Sequence, residues 1–197
     1  MTPPPEGDAA KAALRERFVA ARLDRSPAAR ASAAAAVTSA LLARLAQVRV
    51  LAAFVPDDTE PGAGRLPAAF TQLGARVLLP VVPDSGAELR WAVDTGRLAP
   101  GRFGLSEPVG PRLGPTALGT AQVVVVPALA VDRAGTRLGR GGGYYDRALR
   151  HARPGAVVVA LVFDDELVDA LPALDHDRPV TAVVTPSGGW QDLPTGR

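Results

Sequence analysis

The sequence predicts an α/β fold: an open, mostly parallel sheet with helices on both faces, preceded by an N-terminal helical arm. Two runs, 122–126 with four consecutive valines after Gln122 and 156–163 apolar throughout, suit strands buried on both faces. Such runs alternate with helix-length segments, the pattern of a sheet covered on each side. Paired helix start signals before residue 48 set the arm apart from that alternation.

The elements follow in order. Asp8 can cap a helix reaching about Asp24, with Leu14, Phe18 and Ala21 on one face. Ser26 followed by Pro27 is a cap with proline at the first helical position, opening a second helix to about Leu45. A buried strand is expected over 48–55, with the acidic loop Pro56 to Glu60 at its carboxyl end. Residues 66–73 read as a short helix stopped by Gly74, then strands over 76–82 and 89–93. The proline- and glycine-rich stretch 100–115 reads as a loop. The 122–126 strand leads to a glycine-rich motif and a helix beginning near Tyr144. The 156–163 strand is followed by a short helix over 165–171 and a last strand over 180–185. A single domain, 1–197, is expected, with helices at about 8–45 and an α/β core at about 48–187.

At 197 residues, with 47% hydrophobic and 21% charged residues, the chain can bury a sizeable core. The formal charge is only +2, and the base is nearly all arginine, Lys11 being the one lysine. There is no cysteine, which excludes disulfides, zinc–thiolate sites and cysteine nucleophiles. No apolar run approaches the roughly 20 residues of a membrane span. The N-terminus lacks the basic start and apolar core of a signal peptide, so a cytoplasmic protein is expected.

The densest chemistry lies in Arg137-Leu-Gly-Arg-Gly-Gly-Gly-Tyr-Tyr-Asp146. Glycines let backbone N–H groups approach an anion, arginines supply forked donors, and a carboxylate is a hard oxygen ligand for Mg²⁺. The run is not a dinucleotide fingerprint, because Tyr144 follows where a third glycine is needed, and it has no Walker A lysine. A flexible turn entering a helix is the plainer reading, and Asp146 in a first helical turn suits the helix dipole without any metal. Adjacent tyrosines point in different directions, so at most one of Tyr144 and Tyr145 is expected to face a ligand. Lys11 and Arg15, at i and i+4, form either a solvated stripe or a pair flanking an anion. Glu60 follows a strand, where binding groups gather, and the loop after 163 could reach the same edge. His176 reads as a surface histidine ahead of the last strand.

The constellation resembles the 5-formyltetrahydrofolate cyclo-ligase family. The specific signature is Val126-Pro-Ala-Leu-Ala-Val-Asp132 followed by Gly135-Thr-Arg-Leu-Gly-Arg-Gly-Gly-Gly-Tyr-Tyr-Asp-Arg147. Lys11-x-x-x-Arg15, Glu60, Phe103-Gly-Leu-Ser-Glu-Pro108 and His176-Asp177 fall in the family's order. The resemblance implies a three-layer sandwich similar to ribose isomerases and CoA transferases. It implies ATP- and Mg²⁺-dependent cyclisation of 5-formyltetrahydrofolate, with or without a polyglutamyl tail, to 5,10-methenyltetrahydrofolate through phosphorylation of the formyl oxygen, with release of ADP and phosphate.

By the same resemblance Lys11, Arg15 and Arg137, Leu138, Gly139, Arg140, Gly141, Gly142, Gly143, Tyr144 and Tyr145 would hold ATP. Arg140 to Tyr144 would also border the folate, with Arg140 and Tyr144 closest to the chemistry. Glu60 would recognise the pterin end, Phe103 would supply an apolar wall, and Asp146 and Asp177 would ligate Mg²⁺. Thr181 and Pro61 depart from the family's pattern. A monomer is expected, with neither nucleic acid nor membrane as partner. Two competing classes are a catalytically inactive folate- or nucleotide-binding protein of the same fold and a nucleic-acid-binding module. The interspersed charges argue against the second of these.

Overall fold

The computed structural model describes residues 6–86, 88–174 and 177–194. Helix α1 spans Glu6–Asp24, beginning ahead of Asp8, and α2 spans Pro27–Leu45. Ser26 caps α2 by accepting the Ala29 N–H at 3.2 Å, as the Ser-Pro signal predicts.

An eight-stranded sheet forms the centre, in the order Gly189–Asp192, Ala182–Thr185, Val157–Leu161, Val123–Pro127, Val50–Ala52, Arg76–Val81, Arg90–Val93 and Arg112–Leu113. The five strands from Ala182–Thr185 to Arg76–Val81 run parallel. The remaining three add antiparallel edges. Side chains alternate strictly between faces. Leu51, Val77, Leu79, Val123, Val125, Val159 and Leu161 pack with Val37, Leu41 and Leu45 of α2. Leu78, Val124, Val126, Val158 and Ala160 pack on the opposite face with Leu118, Ala148 and Leu149. Each such Val or Leu contributes about 1.5–3 kcal/mol relative to exposure, so register is strongly fixed.

Several elements differ from expectation. The predicted helix over 165–171 is only a 3-10 turn, Asp164–Glu166, followed by a short strand, Leu167–Val168. Glu166 is drawn into the interior, fully buried, and the strand pairs with Ala130–Asp132, which competes with continued coiling. The segment over 66–73 is a tight 3-10 turn, Ala68–Leu73, although Gly74 ends it in the left-handed region as expected (φ 63°). The 100–115 loop contains the hairpin of Leu98–Pro100 with Ser106–Pro108 and the edge strand Arg112–Leu113. The sheet also continues past 187 through Gly189–Asp192, a strand whose sequence carries no apolar run.

Candidate active site

The strands ending at Ala52, Val81 and Pro127 deliver their following residues to one edge, beyond the carboxyl ends of the parallel strands. A cavity of about 510 Å³ opens there. Its lining combines Asp57 and Glu60 after the first strand, Val82 after the second, Pro127 to Leu129 after the third, the motif from Arg137 to Asp146, and Asp177. Helix α1 closes one side with Lys11 and Arg15.

Arg137–Leu138 is a two-residue strand paired antiparallel with Ala130–Asp132, and Tyr144–Ala148 forms helix α3. Between them Gly141 (φ 97°) and Gly143 (φ 63°) adopt conformations that L side chains rarely enter. At Gly143 a Cβ would also approach Arg147 Nη1 to 2.8 Å. Arg15 Nε donates to the Gly139 carbonyl at 3.0 Å and so ties the loop to α1.

The basic groups around the cavity meet carboxylates across loops. Lys11 Nζ lies 2.5 Å from Asp177 Oδ2, Arg137 Nη2 lies 2.6 Å from Asp146 Oδ1, and Arg140 Nη2 lies 2.5 Å from Asp57 Oδ2. Asp177 also accepts the Leu174 N–H at 2.8 Å. Lys11 and Arg137 are buried, whereas the Arg140 side chain is 52% exposed. Glu60 Oε2 accepts the Asp57 N–H at 3.0 Å, and Glu60 Oε1 lies 3.7 Å from Arg140. Burial and the charge of Asp57 push the Glu60 carboxyl above its ordinary range, against the opposing pull of Arg140 and Arg22.

Both tyrosines border the cavity. Tyr145 packs against the cores on both faces of the sheet, and its hydroxyl is buried with no hydrogen-bond partner in the protein. Burial first, then the nearby Glu60 charge, raises its pKa. Phe103 is not part of the lining. It is 70% exposed, has φ 58°, and lies beside Arg102, while Leu105, Ser106 and Glu107 occupy the cavity wall. His176 lies outside the described residues. Thr181 is also absent from the lining; its hydroxyl bonds to the Val158 backbone and joins two core strands. Pro61 is buried directly behind Glu60.

Sequence reasoning missed Arg22 and Glu166. Arg22 projects from α1 into the interior, and Glu166 takes it with two hydrogen bonds of 2.7 Å. The signal for Arg22 is its spacing: positions 11, 15, 18 and 22 share one helix face. No residue of the expected loop after 163, Asp164–Glu166, lines the cavity; Glu166 is connected to it through Arg22, which lies 4.0 Å from Glu60.

A glycine loop, a basic helix face and carboxylates meet at the edge of a parallel sheet, the arrangement of an α/β protein with a site suited to an anionic ligand. Residues 7–186 match the model of the 5-formyltetrahydrofolate cyclo-ligase family. The chain belongs to that family, and hence to the ligases of folate metabolism. It is 48% identical over 146 residues to the 5-formyltetrahydrofolate cyclo-ligase of Mycolicibacterium smegmatis, covering 72% of this chain and 75% of that protein. To the enzyme of the same name from Escherichia coli K12 it is 34% identical, covering 72% and 80%. The solution structure of Aquifex aeolicus 5,10-methenyltetrahydrofolate synthetase superposes with a TM-score of 0.78 at 28% identity, covering 95% of this chain and 94% of that one. Among the described residues no helix is long and apolar enough to cross a membrane.

Asp146 and Asp177 are hard oxygen donors within one cavity, a donor type suited to Mg²⁺. No group of three metal-capable side chains occurs among the described residues. Mg²⁺ commonly takes one or two carboxylates and completes its shell with phosphate oxygens and water, so the residues present fit that ion.

Proposed function

We propose that this enzyme cyclises 5-formyltetrahydrofolate to 5,10-methenyltetrahydrofolate at the expense of ATP, releasing ADP and phosphate. The observation that carries the reading is the meeting, in one cavity, of the glycine loop and its basic side chains with the Glu60 carboxylate. A formyl oxygen bound to carbon is a poor leaving group, and phosphorylation makes it a good one. The formyl oxygen attacks the γ-phosphorus and ADP departs. N10 then attacks the activated carbon and gives up its proton to solvent, and phosphate leaves with the oxygen.

The protein's share of this chemistry is positioning and neutralisation of charge. Lys11, Arg15, Arg137 and the N–H groups of the loop hold the nucleotide phosphates, with Leu138, Gly139 and Tyr145 bordering it. Arg140 and Tyr144 stand where the two substrates meet, beside Gly141, Gly142 and Gly143. The Glu60 carboxylate accepts hydrogen bonds from the amino and ring N–H groups of the pterin. With Leu105 in the cavity wall, Phe103 contributes to folate binding from the same hairpin, outside the lining. Asp146 and Asp177 would hold Mg²⁺, which neutralises phosphate charge when bound. The reaction is assigned to the cytoplasm and to a monomer.

Purified protein given 5-formyltetrahydrofolate and Mg·ATP should develop the absorbance of the methenyl product. Arg140→Ala or Asp146→Ala should abolish it in a protein that remains folded. Folate binding without ATP consumption would instead support the inactive binding protein.

A further inference from the structure

Arg22 is an unusual residue to find inside a helix–sheet interface. Its side chain is 1% exposed, and Glu166, which neutralises it, is fully buried. Nε and Nη2 bond to the two Glu166 oxygens, and Nη2 also donates to the Ala128 carbonyl at 2.6 Å. Glu166 is itself fixed by accepting the Phe163 N–H at 2.8 Å. The third nitrogen, Nη1, is buried without a hydrogen-bond partner and lies 4.0 Å from Glu60 Oε1. Neither Arg22 nor Glu166 lines the cavity, whereas Glu60 does.

We propose that Arg22, clamped by Glu166, is the positioning residue for Glu60: it holds the carboxylate ionised and aimed into the cavity from behind. This rests on the reading of Glu60 as the group that recognises the pterin. Glu60 is faced by Asp57 from its own loop, Arg140 from the glycine loop, Arg22 from α1 and Tyr145 from α3, with Glu166 behind Arg22. The two cations differ in kind. Arg140 is half exposed and belongs to the loop that binds phosphate, so a nucleotide competes for it. Arg22 is held by three hydrogen bonds, two to Glu166 and one to the Ala128 carbonyl, outside the cavity lining. With Arg140 turned to phosphate, Arg22 becomes the counter-charge that keeps Glu60 an acceptor. Desolvation strengthens that interaction relative to water.

The test is a double-mutant cycle. Arg22→Lys keeps a charge on Glu166 but has no forked group to reach Glu60. Arg22→Met combined with Glu166→Gln removes the buried pair together, so no lone charge is left inside. Each should raise KM for 5-formyltetrahydrofolate about tenfold while KM for ATP stays within about twofold. In a Glu60→Gln background the same changes should have no further effect, since coupled residues are not additive. An undiminished effect in that background, or an equal rise in both KM values, would mean that Arg22 only supports the scaffold and would overturn the proposal.

Carbon-13 NMR of the Glu60 carboxyl provides a readout independent of substrate. Its titration should move to higher pH in Arg22→Met/Glu166→Gln, because the nearer of the two lost charges is the positive one. An unmoved midpoint overturns the proposal however Glu60→Gln behaves. If the midpoint moves but Glu60→Gln leaves the folate KM unchanged, the pterin assignment alone has failed.

Discussion

Arg140, on the glycine loop, is held by Asp57 of the opposite loop, Nη2 to Oδ2, at 2.5 Å. The same nitrogen is 3.7 Å from Glu60. The cation nearest the proposed meeting point of the two substrates is thus engaged by carboxylates of the proposed folate side. On the proposed assignment a nucleotide competes with these carboxylates for Arg140, so one guanidinium would couple the two substrates.

Asp57→Asn should therefore tighten ATP binding. Asparagine keeps an oxygen to accept from Thr59, which now bonds to Oδ1 through its N–H at 2.8 Å and its hydroxyl at 2.6 Å. What is lost is the carboxylate charge that holds Arg140. Calorimetric titration should show an improvement of up to about fivefold, the worth of a solvent-accessible ion pair.

The folate KM should depend on pH through Glu60. Recognition requires the ionised carboxylate, and burial with Asp57 alongside places its pKa above the ordinary 4.5. As pH falls through that raised value the competent fraction drops, so KM climbs on the acid side while pH is still above 4.5. Glu60→Gln should abolish this limb, and Asp57→Asn should move it to lower pH by removing a charge that raises the pKa. The linked stability runs the other way: the folded state binds more protons in this window, so the group's contribution to stability decreases as pH rises through it. Steady-state kinetics across pH 4–8 (roughly the span in which carboxylates and imidazoles titrate) would reveal the limb.

Arg22→Met alone should be severely destabilising. It strands Glu166, a fully buried carboxylate, without its partner. The expected loss is about 3–5 kcal/mol, or roughly 6–20 °C in Tm for a chain of this size. Adding Glu166→Gln should restore most of it. Thermal denaturation followed by circular dichroism distinguishes the single from the double variant.

Lys11 offers a direct chemical probe of the nucleotide side. It is the only lysine, is 4% exposed, and is ion-paired with Asp177. Amine-directed acylation at Lys11 should be at least about tenfold slower in the folded protein than in denaturant, since reaction requires local opening. Asp177→Asn should accelerate it and ATP should slow it further, each read by peptide mass spectrometry.

The parallel core was legible in the sequence because its strands are continuous apolar runs, and Val123–Pro127 and Val157–Leu161 lie where they were expected. The glycine loop, Lys11, Arg15, Glu60 and the two aspartates were equally legible and reach one cavity. What escaped notice depends on distant partners. Arg22 follows Lys11, Arg15 and Phe18 in register, yet its carboxylate is 144 positions away, and an arginine is seldom buried without a partner. The apolar spacing of Leu14, Phe18 and Ala21 suggested a greasy helix face, but the inward face carries Lys11 and Arg22 on either side of Phe18. The exposure of Phe103 was not legible, because a left-handed turn inside its hairpin, at φ 58°, leaves no local sign in an aromatic residue. Strands of two or three residues, such as Arg137–Leu138, are too short to show a period.

The inward face of α1 is anchored by Lys11 on Asp177, Arg15 on the Gly139 carbonyl and Arg22 on Glu166, with Phe18 as its buried apolar contact. The helix is therefore fastened to the site's own machinery more than to the sheet. Occupancy of the cavity and docking of this arm are then two descriptions of one equilibrium. Ligands that engage Lys11 and Arg15 should therefore slow opening of the first helix far more than opening of the sheet beneath it, which is already welded by its two apolar layers.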